Sequence, residues 1–173
     1  ELFCDYVDEE GNTVFEYDLT GKAVNLLTVD LKNVRLTVVG GAERSYVKVE
    51  NIPIKAYDFR VAAGEIEMKD AGPASIFTSI NINESGFGFN GLRHYLKLIK
   101  GVEGERRVTV YLSTGGAALE KIALNVMEGA VAVSDVTARS ELTVTVGDGD
   151  VILTKVSAAN ATVSCENGNV DLD

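Results

Sequence analysis

Apolar and polar residues alternate with a period of two through most of the chain, and in its last third the alternation itself repeats. In LEKIALNVMEGAVAVSDVTA, residues 119–138, the patterned positions are Ile122, Leu124, Val126, Gly129, Val131, Val133 and Val136. Twenty residues on stand Leu142, Val144, Val146, Gly149, Val151, Leu153 and Val156. Nineteen further on stand Ala161, Val163, Cys165, Gly168, Val170 and Leu172. A period of two means strands with one buried face. The glycines follow Glu128, Asp148 and Asn167, so each copy reads as strand, bend, strand, corner. Antiparallel hairpins carry the same alternation. A fixed period of 19–20 residues instead favours parallel coils stacked in register, each burying its apolar row on the next. The outward columns would then be Ala123–Thr143–Thr162 and Asn125–Thr145–Ser164.

The N-terminal half carries weaker echoes. In YDFRVAAGEIEM, Tyr57, Phe59, Val61, Gly64, Ile66 and Met68 match Ile122 through Val133 at a constant offset of 65. LTVDLKNVRLTV is a looser match: Leu27, Val29 and Leu31, then Val34, Leu36 and Val38 after a turn read as two residues shorter. SYVKVE (45–50) and TVFEY (13–17) add candidate strands. Residues 70–105 break the pattern. There Ile76, Ile80 and Ile82 suit a strand, while Leu92, Tyr95, Leu96 and Ile99 fall on one face of a short helix over 91–99. ERRVTVYL returns to strand. The predicted fold is all-β, a β-solenoid of parallel β-helix-like coils in one domain, 1–173. It divides into irregular strands over 1–69, an irregular insertion over 70–105 and regular rungs over 106–173. The insertion is expected either to cover one end of the core or to form a surface excursion. Irregular segments carry function more often than repeat strands do. The last rung stops at Asp173 in mid-coil, so the expectation is that the coil continues in the natural protein or is covered by a partner or a second copy.

Composition narrows the partners. With 46% hydrophobic and 24% charged residues the chain is not disordered, and at 173 residues it needs neither disulfide nor metal to fold. Sixteen Lys and Arg against twenty-six Asp and Glu give a net charge of −10, which repels phosphate backbones and makes nucleic acid an unexpected partner. No apolar run is long enough to span a bilayer. The chain starts at Glu1, so a processed or engineered product, with a signal peptide or membrane anchor removed, is expected. Cys4 and Cys165 are too few for a disulfide framework and lack zinc spacing. Cys165 reads as a small core hydrophobe, with a Cys4–Cys165 bridge as the alternative.

VDLKNVRLTVVGG, then VKVENI with YDFRVAAGEIEM, then GFGFNG before RRVTVYL, and finally the tandem LEKIALNVMEGAVAV and LTVTVGDGDVIL, occur in an order that resembles the bacterial putative-adhesin domains, a family of Gly-rung β-solenoids. The resemblance spans about residues 24–173. Ser113 stands where that family often has Pro, and YLKLIKG is longer than its counterpart. The resemblance implies a non-enzymatic module of the cell envelope or surface that binds an unknown ligand, and carries over no catalytic residues; the open last coil makes a scaffold that self-associates end to end the alternative.

Candidate chemistry is sparse. Gly86, Gly88 and Gly91 form G-x-G-x-x-G, but no βαβ unit surrounds them. His94, the single histidine, has no G-x-S-x-G to serve. Stacked coils would align Glu128, Asp148 and Asn167, with Asp150 and Asn169 nearby, and such oxygens could hold Ca²⁺; Asp and Asn before Gly are equally ordinary turn formers. No other cofactor is expected. A carbohydrate-active enzyme would have to draw on Asp148, Asp150, Asp171 and Lys155. Phe77, Phe87, Phe89 and Tyr95 gather in the irregular segment as a candidate contact surface, or else as rings that seal the open side of the coil.

Overall fold

The structure, a computed structural model, describes residues 3–71 and 105–173. Among these residues there is no helix. One sheet holds eight strands: β1 (Phe3–Val7), β2 (Thr13–Asp18), β5 (Tyr46–Glu50), β8 (Arg107–Ser113), β4 (Arg35–Ala42), β10 (Val131–Ser134), β12 (Val151–Thr154) and β14 (Val170–Leu172), in that spatial order. The other holds six: β13 (Ser157–Asn167), β11 (Thr137–Asp148), β9 (Ala118–Glu128), β3 (Leu26–Asn33), β7 (Glu65–Asp70) and β6 (Tyr57–Ala62). Both sheets are mixed and neither closes into a barrel. Their inward rows form one core, in which Leu27, Leu36, Ile122, Val131, Leu142 and Val144 are all essentially fully buried. Each such side chain contributes about 1.5–3 kcal/mol.

Parallel pairing follows the sequence period. Ile122 pairs with Leu142, and Leu142 with Ala161; across the core Val131 pairs with Val151, and Val151 with Val170. Both expected outward columns are present as ladder registers. The change from twenty to nineteen has a local cause. β11 carries one extra residue at Arg139–Ser140, a β-bulge that shifts the register against both β9 and β13.

The segment over 26–42 is as regular as the C-terminal copies. Leu27 pairs with Ile122 and Leu36 with Val131, so β3 and β4 hold one offset through the bend and the turn is not shortened. Val34 occupies the place that Gly129 takes in the next coil, its carbonyl lying under Gly129. The match over 57–68 is overturned. β6 and β7 are a hairpin within one sheet, Val61 pairing with Ile66 and Ala62 with Glu65. The link is Ala63–Gly64 with φ of 52° and 81°. Two consecutive positive φ values make a tight hairpin turn, whereas the bend glycines send the chain to the opposite sheet.

The strand pairs are not adjacent in chain order. β3–β4 lies between β7–β8 and β9–β10. Leu27 to Leu36 spans nine residues, while their partners Ile66 and Val108 are forty-two apart, an excess of thirty-three. In the sequence, residues 72–104 lie between β7 and β8. The expected helix over 91–99 and the strand through Ile76, Ile80 and Ile82 lie outside the described residues.

Candidate functional site

The two ends of the core differ in chemistry. At the N-terminal end, Tyr17 of β2 stacks on Phe59 of β6 with ring centroids 4.1 Å apart, and Tyr57 meets Tyr17 edge-on at 6.4 Å. The hydroxyls of Tyr17 and Tyr57 are 2.6 Å apart. Burial pushes the Tyr57 phenol well above its ordinary value, with Tyr17 adding to the shift. These rings bridge the two sheets and plug the core.

The other end is open. β13 and β14 are the outer strands of their respective sheets and belong to the same coil. Val151 and Leu153 are 0% and 6% exposed, whereas their ladder partners Val170 and Leu172 are 45% and 64% exposed. Across the core Ala161 is exposed and Val163 and Cys165 are half-buried. The Cys165 thiol is free and donates to the Gly149 carbonyl at 3.1 Å. It is therefore a partly covered member of the apolar row, not half of a bridge.

Glu128, Asp148 and Asn167 do form a column beside the bends, and all three are exposed. Their backbone carbonyls are committed to the ladder: Val34, Gly129 and Gly149 donate their N–H groups to Glu128, Asp148 and Asn167 respectively. Asp150 Oδ1 accepts from the Asn169 N–H at 2.9 Å and from its side-chain amide at 3.3 Å. Among the described residues no three Asp, Glu, His or Cys side chains gather as a metal cluster. Lys155 sits at the corner after β12, with φ of 51°, a strand's length from Asp148 and Asp150. Asp171 lies on exposed β14 opposite outward-facing Ile152. Phe77, Phe87, Phe89, Tyr95, His94, Gly86, Gly88 and Gly91 lie outside the described residues.

One aromatic feature has no precedent in the sequence pattern. Tyr46 of β5 and Tyr111 of β8 are direct cross-strand partners on the outer face, stacked 4.4 Å apart. The Arg44 guanidinium lies 4.2 Å from the Tyr46 ring and also bonds Glu16 at 3.3 Å. Alternation alone marks such positions as outward; only the pairing of strands sixty-five residues apart shows that the rings meet.

No protein-family profile matches the chain, and no curated protein matches it in sequence. Several solved structures resemble it in part. A putative cell adhesion protein from Clostridium sporogenes is 10% identical, with 93% of this chain and 98% of that one aligned at a TM-score of 0.48. A putative lipid binding protein from Parabacteroides distasonis is 7% identical, covering 89% of this chain and 62% of that one at 0.42. A putative adhesin from Bacteroides fragilis is 10% identical, covering 92% and 97% at 0.32. Among the described residues no helix is long and apolar enough to cross a membrane.

Proposed function

We propose that this chain is a non-enzymatic, adhesin-like module of the bacterial cell envelope or surface, built on a short β-solenoid. The observation that carries this reading is the in-register parallel pairing of β9, β11 and β13, which displays the outward columns Ala123–Thr143–Thr162 and Asn125–Thr145–Ser164 on one sheet face. A stack of in-register coils has little to move and much to display, which suits binding better than turnover. The order of segments that resembles the adhesin domains supports the same role. The test is binding of the labelled protein to whole bacterial and host cells, with a charged variant on that face, Thr145→Lys, as control. Saturable binding weakened by the variant supports the role; binding to neither cell type overturns it.

A second reading is favoured by one observation: both sheets end on the same coil, with two strand edges free. In this reading the module is a scaffold and the terminal coil pairs with that of a second copy. Light scattering over a range of concentrations separates the two. A constant monomer mass removes the scaffold; a mass that rises with concentration establishes it.

A further inference from the structure

At the corner side of the stack, opposite the bends, a cavity of about 440 Å³ lies between the loop after β2, the turn before β5 and the link from β8 to β9. Its walls are short on side chains and rich in backbone, with Gly21, Gly115 and Gly116 among the lining residues. Two serines form its floor. Ser45 Oγ accepts the Ser113 N–H at 2.9 Å and donates to Ser113 Oγ at 3.2 Å, which leaves the Ser113 hydroxyl hydrogen free to donate outward.

Charge inside this cavity runs against the charge of the molecule. The chain carries −10, yet Lys22, Arg44 and Arg139 line the cavity against Glu43, the one carboxylate on its wall among the described residues. Arg44 is already paired with Glu16 and Asp18. Neither Lys22 nor Arg139 is in an ion pair with a carboxylate among the described residues, though the Lys22 charge reaches Asp18, which Arg44 also holds. Arg139 owes its place to the β-bulge, which β11 has and its neighbours β9 and β13 lack. A bulge re-aims a side chain at the expense of ladder pairing, and such features cluster at binding sites. The positions flanking the bulge in the neighbouring strands are Glu120 and Ala159, so the cation enters through the inserted residue.

We infer that this cavity binds an acidic saccharide unit, a polyhydroxylated ring bearing a carboxylate, with Arg139 and Lys22 on the anion and the Ser113 hydroxyl and the Gly21 and Gly115 amides on the hydroxyls, the Gly116 N–H being held by the Ser113 carbonyl at 2.7 Å. The volume matches one or two sugar rings. A planar guanidinium matches a carboxylate in bidentate fashion. The inference rests on the binding role proposed above, and names its ligand class.

The test is amide NMR of the ¹⁵N-labelled protein titrated with glucuronate, glucose and inorganic sulfate. Glucuronate is expected to shift the Gly21, Gly115 and Gly116 amides, and glucose is not. Arg139→Gln is expected to weaken glucuronate at least about tenfold, through loss of the bidentate charge-assisted pair. Lys22→Gln, on an exposed loop, gives a second variant whose folding is not at issue, and Arg60→Gln on β6 controls for net charge. Three results overturn the proposal: no shift at these glycines, equal binding of glucose, or equal loss with Arg60→Gln. Sulfate binding as tight as glucuronate would reduce the site to a bare anion hole. If glucuronate fails while cell binding persists, the cavity is wrong and the surface role stands; if both fail, the role falls with it.

Discussion

A β-carbon on Gly149 would lie 1.8 Å from the carbonyl oxygen of Gly129 in the coil beneath. The same relation links Gly129 to Val34 at 2.0 Å and Gly168 to Gly149 at 1.9 Å. Each of the three glycines also has positive φ, from 134° to 152°. Gly149→Ala must therefore push two coils apart and strain its own backbone, and it is expected to cost at least about 3 kcal/mol in urea unfolding. Gly168→Ala is expected to cost clearly less, since its coil is the outermost and can shift. Equal costs would mean that the column is not what spaces the coils.

Lysine in place of Leu172 or Val170 is expected to change stability by less than about 0.5 kcal/mol, because both side chains already face solvent. Leu153→Ala, one coil inward, is expected to cost about 2–5 kcal/mol. If the terminal coil pairs between copies, the lysine variants also abolish any concentration-dependent mass in light scattering.

The buried Tyr57 phenol makes a prediction in alkali. Its folded value is raised above the ordinary 10.0, so its contribution is intact below pH 10 and is lost as pH climbs beyond that. Burial raises Tyr46 in the same direction. Tyr57→Phe is expected to cost about 1 kcal/mol at pH 7, through loss of the Tyr17 hydroxyl contact. Above pH 10 the wild type is expected to lose up to about 1.4 kcal/mol per pH unit through this group, so the deficit of the variant closes by about pH 11. Denaturant midpoints at pH 7, 9, 10 and 11 read this directly, and a deficit that stays constant would refute it.

The Ser113 N–H is in use, donating to Ser45 Oγ at 2.9 Å. Ser113→Pro removes the donor to Ser45 Oγ and leaves a buried hydroxyl short of a partner, at a cost of about 1–3 kcal/mol. Ser45→Ala removes the same bonds with less distortion and is expected to cost about 1 kcal/mol.

The parallel half of the fold is legible in the sequence because its periodicity is global. Ile122, Leu142 and Ala161 share a row, and the alternation, the bend glycine and the corner recur together. Residues 57–68 show the limit of that signal. An alternating run, a glycine and another alternating run describe a coil and a hairpin alike. Ala63 decides between them, at φ 52°, through a conformation no periodicity reports. β1, FCDYV, has no repeated partner and its apolar residues come in adjacent pairs rather than alternating, so it does not announce itself as a strand; it pairs on the edge that β2 offers. The cavity was equally hidden. Lys22, Ser113 and Arg139 are scattered in the chain and meet only because the coils are stacked out of order, and the one local sign of it was the step from twenty residues to nineteen.

That interleaving governs how the molecule can be made. A repeat array can add each unit to the one before it as the chain emerges. Here β3 waits thirty-nine residues for β7 and ninety-five for β9 before both its edges are filled. Loops of that length put the cost of closure ahead of the reward, so the central coils are expected to form slowly and together. Only β11 through β14 can then be laid down one after another. Under force or dilute denaturant the same order runs backwards: these coils peel singly from a centre that gives way only as a whole.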